Sequence, residues 1–285
     1  MTFVHHSSSI RAKLAYSQTG PKQGRRVWVL HGIMGSRQNW SRFARHLSQS
    51  NPQLCITTVD LRCHGDTEHV SAPHTVQACV EDLIVLAKDI GAPQVLIGHS
   101  FGGKVALLYA TKVSGLRLKL GLERVWTLDS PLADNMRPGH GEVARVIEAC
   151  GEMSLPKKSR LAVTEYFTDQ GFALGIAQWM TTNLRRVRPN DHLGTEGFTW
   201  KFDVNGIKAL ISDYWSIDGW QLLTQINPSI EIHLLRAERG LRWTEEDEQR
   251  IAHGFPHVST PLLKDSGHWV HIEQLEALIE TLGDL

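Results

Sequence analysis

One serine stands out because of the residues around it. Ser100 lies in the segment Gly98-His99-Ser100-Phe101-Gly102, after the strand-like run 94–97 and before a helix-like stretch at 103–110. A Gly-x-Ser-x-Gly sequence between a strand and a helix is typical of a nucleophile elbow, a sharp turn that exposes the serine hydroxyl above the sheet. Side chains at the two glycines would crowd such a turn. We therefore predict that Ser100 is a nucleophile.

A serine hydroxyl needs a general base, because it is a weak nucleophile at pH 7. Histidine suits this role, since its unperturbed pKa of about 6.5 lies near neutrality. His268 follows the last predicted strand directly, and Gly267 beside it permits a tight turn. His271 is the nearest alternative, but it falls inside the following predicted helix. We predict that His268 is the base and that His271 has a structural role.

An attack on a carbonyl group creates an oxyanion, which needs N–H donors already in place. In a fold with a nucleophile elbow, one donor is the residue after the serine, here Phe101. The second is expected from the loop His31-Gly32-Ile33-Met34-Gly35, whose glycines permit close approach of the backbone. We predict an oxyanion hole formed by the N–H groups of Ile33 and Phe101.

The elements that must position these groups alternate along the chain. Strand-like runs at 26–30, 54–59 and 124–128 accompany the run before the elbow, and residues 75–90 carry apolar residues at helical spacing. This alternation predicts an α/β fold with a mostly parallel, doubly wound sheet. Ligand sites in such sheets lie beyond the carboxyl ends of the strands. Ser100, His268 and the loop 31–35 should therefore share one face.

The alternation is interrupted after the strand at 124–128. Residues 133–224 are largely helical in pattern, with predicted helices at 142–153, 157–169 and 173–187. This segment is too long for a simple crossover and too periodic for a loop. We predict an inserted helical cap at 133–224, between core segments 1–132 and 225–285.

The composition limits the class of partner. The chain has 285 residues, 30 basic and 30 acidic, which argues against nucleic acid as a partner. No apolar run reaches the length of a membrane span, so no stable membrane insertion is expected. The four cysteines form no Cys-x-x-Cys pair, and residues 1–9 lack the apolar stretch of a signal peptide. We expect no metal and no cofactor, and a location in the cytoplasm or the stroma or matrix of an organelle rather than secretion.

Four motifs in this order resemble the α/β-hydrolase superfamily. They are His31-Gly32, Asp60-Leu61-Arg62-x-His64-Gly65, the elbow, and Ser266-Gly267-His268-Trp269. The sequence is most similar to small capped esterases and thioesterases, a group of bacterial acyl-CoA esterases and a mitochondrial abhydrolase, and within it to a plant and algal branch. The resemblance implies the α/β-hydrolase fold with a cap, and a serine hydrolase with a Ser-acid-His triad.

The acid of the triad is the point at which the sequence departs from this pattern. Most members place an aspartate after the strand that follows the cap, where this chain has Glu238 and, at the expected position, Gly240. Some relatives take the acid from the strand before the cap, which here is Asp129. We expect Asp129 to be the acid, with Glu238 as the alternative and Asp203 as a further one.

These features predict hydrolysis of a small-molecule carboxylic ester or thioester through an acyl-enzyme on Ser100. Acyl transfer to another acceptor would use the same residues, and a hydrolase-like receptor that binds a ligand with little turnover would share the fold. Candidates for the substrate pocket are Met34, Met136, Trp179 and Trp269.

Overall fold

A computed structural model describes residues 11–115, 121–132, 141–187, 196–240 and 243–285. Within these residues an eight-stranded sheet forms from β1 Tyr16–Thr19, β2 Arg25–Leu30, β3 Leu54–Val59, β4 Val95–His99, β5 Arg124–Leu128, β8 Glu231–Ala237, β9 Val258–Ser259 and β10 Leu262–Leu263. The strand order is β1-β3-β2-β4-β5-β8-β10, and β9 pairs with β8.

The strand pairs are parallel except at one edge. The pairs β2 with β3, β2 with β4, β4 with β5 and β5 with β8 all run parallel. The edge strand β1 runs antiparallel to β3 and is mostly exposed. The prediction of a mostly parallel α/β sheet is confirmed.

Successive residues of the central strands alternate between two hydrophobic clusters. In β2, Trp28 and Leu30 belong to one cluster, which includes residues of the helices at 76–90 and 101–115. Val27 and Val29 belong to the other, with residues of the helices at 41–50 and 275–282. Because side chains alternate across a strand, helices cover both faces of the sheet.

The helices have the following bounds. They are α1 Ser41–Ser50, α2 Val76–Ile90, α3 Phe101–Gly115, α4 Glu142–Glu152, α5 Arg160–Asp169, α6 Leu174–Thr182, α7 Val204–Ser216, α8 Gly219–Gln225, α9 Glu245–Gly254, α10 Val270–Glu273 and α11 Leu275–Leu282. None of those in the described ranges is both long and apolar enough to cross a membrane.

The segment between β5 and β8 holds α4 to α8 and a small hairpin. The predicted helix at 173–187 is wrong in its second half, because α6 ends at Thr182 and β6 (Leu184–Arg186) pairs with β7 (Phe198–Trp200). Leu184 and Trp200, which face each other in this pair, are both buried, so tertiary burial outweighs helix propensity. This is the segment predicted to form a cap, and the bounds 133 and 224 stay a prediction.

The helix predicted to follow His268 is also divided. It consists of α10 and α11, separated at Gln274, whose φ of −137° is not helical. The break places Glu273 beneath the preceding loop, where its carboxylate accepts hydrogen bonds from the N–H of Gly267 (2.8 Å) and of Trp269 (3.3 Å). The short helix α10 thereby fixes the backbone on both sides of His268.

Candidate active site

Ser100 lies in a strained turn between β4 and α3. Its φ is +49°, in the left-handed region that non-glycine residues rarely adopt. A Cβ on Gly98 would lie 2.1 Å from the carbonyl oxygen of Gly102, and a Cβ on Gly102 would lie 2.7 Å from that of His31. Both glycines are therefore required sterically. The turn is held by the Ser100 N–H, which donates to Leu128 O at 3.0 Å, and by the Ser130 hydroxyl, which donates to Ser100 O at 2.8 Å.

His268 is paired with a buried carboxylate. Its Nδ1 lies 2.7 Å from Asp129 Oδ2, and the Asp129 side chain has no exposed surface whereas that of His268 is 33% exposed. The His268 carbonyl accepts a hydrogen bond of 2.8 Å from His99 Nε2, and the two rings lie 4.7 Å apart. His99, the residue before Ser100, therefore connects the elbow to the histidine loop. We missed this role in the sequence, although its place inside the elbow motif was a signal.

The structure brings Asp129 to His268 and places the other candidate acids elsewhere. Glu238 is exposed, and its carboxylate accepts from the N–H of Asp265 at 2.8 Å. Asp203 caps the first turn of α7. Asp129 lies just after β5 with a φ of +45°, and its Oδ1 accepts from the N–H of Ala237 in the adjacent β8.

Gly240 gives the Asp129 carboxylate its space. A Cβ at residue 240 would lie 2.4 Å from each carboxylate oxygen of Asp129. The resemblance expects an aspartate at position 240. This chain has a glycine there because the carboxylate of Asp129, which follows β5, occupies that space. The sequence contained a signal that the acid comes from β5, namely the glycine at position 240.

We predict that Gly240→Ala displaces the Asp129 carboxylate and lowers kcat by about 100-fold, the loss that a 1 Å misplacement of a catalytic group can cause. Gly254→Ala is the matched control, because a Cβ there meets nothing within 4 Å. Steady-state kinetics with an activated ester would test this, and equal activity of the two variants would contradict it.

The loop 31–35 lies beside the nucleophile. A Cβ on Gly32 would approach the Ser100 Cβ to 3.4 Å, and a turn is closed by the Gly35 N–H, which donates to Gly32 O. The Met34 N–H is occupied, since it donates to His64 Nε2 at 3.0 Å. Ile33 lines the cavity above Ser100, and Phe101 is the first residue of α3, where a helical N–H has no acceptor within the helix.

A cavity of about 910 Å³ opens over these groups. Ser100 and His268 both line it, and most of its lining surface is apolar. The apolar lining includes Ile33, Val146, Ile176, Trp179, Ile211 and Trp269.

The four predicted pocket residues have different outcomes. Trp179 and Trp269 line the cavity, with ring centroids 6.0 Å apart. Met136 lies outside the described residues. The expectation for Met34 needs correction, because its side chain is fully buried in the core rather than in the cavity lining. Its φ of +58° in the turn 32–35 explains the difference, because it gives the side chain a direction that an extended loop would not.

The sequence profile of the alpha/beta hydrolase family matches residues 29–281, a range that begins in β2 and ends in α11. This chain belongs to that family. The predicted α/β-hydrolase fold is confirmed.

The chain is similar to individual proteins at low to moderate identity. The chain is 25% identical over 263 residues to the sn-1-specific diacylglycerol lipase ABHD11 of Mus musculus, covering 90% of this chain and 79% of that one. It is 33% identical over 106 residues to Ethanol acetyltransferase 1 of Eremothecium cymbalariae, covering 36% and 27%. A solved structure of a marine microorganism esterase superposes with a TM-score of 0.78 at 20% identity, covering 95% of this chain and 98% of that one.

Two buried histidines, in the loop 31–35 and in the loop after β3, hold these loops in place. His31 Nε2 accepts from the N–H of Leu61 at 3.1 Å, and His64 Nδ1 donates to the carbonyl of Arg62 at 2.8 Å. Arg62 is itself fully buried and forms two hydrogen bonds with the Asp82 carboxylate, at 2.7 and 2.9 Å. Arg62 and His64 thus hold neighbouring loops in place by hydrogen bonds.

His271 is buried next to the site without being part of the Asp129–His268 pair. Its ring stacks on Trp40 at 4.0 Å, and its Nδ1 has no hydrogen-bond partner in the described chain. Burial, and then the nearby His268, lower the pKa of His271 to about 3. Burial likewise lowers the pKa values of three other histidines, His31, His64 and His99.

These shifts predict a loss of stability in mild acid. A histidine whose folded pKa is depressed binds fewer protons folded than unfolded, so stability falls as the pH drops below about 6.5, the unfolded value. His271 contributes about 1.4 kcal/mol per pH unit between that value and its folded pKa. His271→Phe should therefore flatten the pH dependence of the free energy of unfolding between pH 6 and 4. Urea unfolding would measure it, with the exposed His253→Phe as control; an unchanged slope in His271→Phe would contradict the prediction.

Proposed function

We propose that the protein is a serine hydrolase that cleaves carboxylic esters through an acyl-enzyme on Ser100. The observation that carries the proposal is the His268–Asp129 pair, at 2.7 Å, beside the cavity that Ser100 also lines. A buried carboxylate on Nδ1 orients the ring and leaves Nε2 as the nitrogen that can serve the serine.

In this mechanism the Ser100 hydroxyl attacks the ester carbonyl while His268 Nε2 takes its proton. The negative charge on the tetrahedral intermediate is stabilised by the N–H groups of Ile33 and Phe101, each worth about 2.7–4 kcal/mol by analogy with a serine protease. His268 then gives the proton to the leaving alcohol. Water, deprotonated by His268, attacks the acyl-enzyme, and the acid leaves as His268 returns the proton to the Ser100 oxygen. Asp129 stabilises the imidazolium and does not accept its proton.

The cavity supports a substrate with a sizeable apolar group. A volume of about 910 Å³ with an aliphatic and aromatic lining suits an acyl chain rather than a small polar ester. Glu142, Arg239 and Glu273 add charged groups to the lining, where a polar alcohol could contact them. The name of the mouse relative, a diacylglycerol lipase, agrees with such a substrate. Thioesters are included in the proposal, because the same groups would cleave them.

The subgroup within the family and the cellular location of the protein are also proposals. The four motifs favour the small capped esterases and thioesterases, in their plant and algal branch. We also propose a cytoplasmic, stromal or matrix location. The four cysteines are all buried and free, which agrees with a reducing compartment.

Acyl transfer is the second candidate, because of the likeness to Ethanol acetyltransferase 1. It differs only in the acceptor: an alcohol replaces water in the attack on the acyl-enzyme. Product analysis in the presence of ethanol would separate the two, since transfer gives a new ester in place of the free acid.

A substrate series tests the proposed function. We expect turnover of p-nitrophenyl esters, with kcat/KM rising from acetate towards longer acyl chains, and acyl-CoAs assayed alongside would show whether thioesters are cleaved. Absence of turnover on the whole series, together with a ligand that raises the melting temperature of wild type and Ser100→Ala equally without being consumed, would instead identify a receptor.

A further inference from the structure

A second cluster of reactive side chains lies outside the cavity. Cys63, His74 and Asp203 each offer one possible ligand atom, and these atoms lie within 4.8 Å of one another. Cys63 Sγ is 3.2 Å from His74 Nδ1. His69 lies beside them, with Nδ1 3.9 Å from Asp203 Oδ2. Cys63 and His74 are 11 residues apart, but Asp203 comes from a distant segment of the chain, so motif spacing alone could not reveal the cluster.

We propose that Cys63, His74 and Asp203 form a binding site for Zn²⁺ that joins the loop after β3 to helix α7. Thiolate, imidazole and carboxylate are the groups that bind Zn²⁺ in proteins. Bond lengths of about 2.3 Å to sulfur and 2.0 Å to nitrogen give a tetrahedral edge of about 3.5 Å, close to the separation of Cys63 Sγ and His74 Nδ1. A fourth position remains for His69 or water.

The backbone around Cys63 presents the sulfur to α7. Cys63 has a φ of +66°, a conformation that costs free energy in a non-glycine residue. Its carbonyl accepts a 2.9 Å hydrogen bond from the N–H of Asp203. A Cβ on Gly206, one turn into α7, would lie 2.4 Å from Cys63 Sγ. The helix therefore has a glycine where the thiol needs room.

The Asp203 carboxylate has one oxygen on the helix and the other towards the cluster. Oδ1 accepts from the N–H of Asn205 at 3.0 Å, which caps α7, while Oδ2 is the oxygen nearest His69. Capping and metal binding by Asp203 are thus compatible. Because the two oxygens have separate roles, Asp203→Asn can keep the cap of α7 and lose only the negatively charged ligand.

A catalytic cysteine is the alternative interpretation of the Cys63–His74 pair. Cys63 does not line the cavity that Ser100 lines, and its buried side chain lies beside the Asp203 carboxylate, an arrangement that does not offer the thiol to a substrate. A bound cation would stabilise the thiolate and release its proton. The neighbouring carboxylate, which opposes a free thiolate, fits a site that holds a positive charge.

The site would fasten the segment between β5 and β8 to the core. Helix α7 already contacts the start of α2, where the N–H of Val76 donates to Asp213 Oδ2 at 2.7 Å. A metal ion near Asp203 would strengthen the attachment at the other end of α7, where the Asp203 N–H already donates to the Cys63 carbonyl. The proposal replaces our expectation from sequence that the protein holds no metal, and it does not depend on the proposed esterase activity.

Titration of the full-length protein with Co²⁺, a spectroscopic substitute for Zn²⁺, tests the site. We expect one equivalent of Co²⁺ to give visible bands of a tetrahedral site and a near-ultraviolet thiolate-to-metal band, both removed by Zn²⁺. Cys63→Ala should abolish the thiolate band, and Cys55→Ala, at another buried cysteine, should keep it. Absence of the thiolate band in wild type, or its persistence in Cys63→Ala, would overturn the proposal.

Asp203→Asn provides a test that does not require a change in the core. It should retain the fold by circular dichroism but lower Zn²⁺ affinity, measured by competition with a chromophoric chelator, by about 100-fold or more. Changes that only touch a ligand's hydrogen-bond partner cost about 10- to 100-fold. His253→Asn, at an exposed histidine remote from the cluster, is the control. Equal Zn²⁺ affinity of Asp203→Asn and wild type would exclude Asp203 as a ligand and contradict the site.

Discussion

Ser100→Ala is expected to lower kcat for an activated ester by on the order of 10⁵- to 10⁶-fold, with the fold unchanged. The alanine removes the atom that forms the acyl-enzyme, and the remaining oxyanion donors and cavity give only residual catalysis; loss of the serine in a serine protease has an effect of this size. Alanine also keeps the Cβ of residue 100, so the substitution removes only the hydroxyl oxygen.

The control is Ser41→Ala, at an exposed serine at the start of α1. Both variants should have the melting temperature of wild type within about one degree, because surface and cavity-facing substitutions of this kind change stability little. Full activity of Ser100→Ala would remove the basis of the proposed mechanism.

Asp129→Asn should lower kcat by about 10⁴-fold, the loss seen when the triad aspartate of a serine protease is changed in this way. The amide can donate to His268 Nδ1, which favours the tautomer that carries its proton on Nε2 and so cannot take one from Ser100. Asparagine has nearly the size of aspartate, and Gly240 still provides the space. Turnover of a p-nitrophenyl ester measures the effect.

Glu238→Gln is the matched variant for the alternative acid. It should stay within a few-fold of wild type, because Glu238 is exposed and bonded to the Asp265 backbone rather than to His268. The reverse pattern, an active Asp129→Asn and an inactive Glu238→Gln, would transfer the role to Glu238. Near-ultraviolet circular dichroism of both variants separates a loss of chemistry from a loss of packing.

The elbow and the parallel sheet could be predicted because their causes are local. A strand buried on both faces is a continuous apolar run, and the turn at Ser100 excludes side chains at Gly98 and Gly102 whatever surrounds it. The position of His268 followed from the same rule, since carboxyl ends of parallel strands meet at one edge of the sheet.

The parts of the fold and of the site that could not be predicted depend on contacts between segments distant in sequence. Asp129 could be preferred but not placed, because its partner Gly240 is 111 residues away and only the pairing of β5 with β8 brings them together. The second half of the predicted helix at 173–187 includes strand β6 instead, because Leu184 pairs with Trp200 across the hairpin and both side chains are buried. Met34 does not line the cavity, because its positive φ gives the side chain another direction, and the sequence of the loop did not indicate that φ.

The central claim is that an acyl group is carried on Ser100. Rapid acid quenching of the enzyme with a p-nitrophenyl ester, followed by intact-mass and peptide mass spectrometry, tests it directly. We predict a burst of p-nitrophenol approaching one equivalent when deacylation is slow, and one added acyl mass on the peptide that contains Ser100. Turnover at an undiminished rate with no acyl mass on that peptide, or with the acyl group on another residue, would contradict the account.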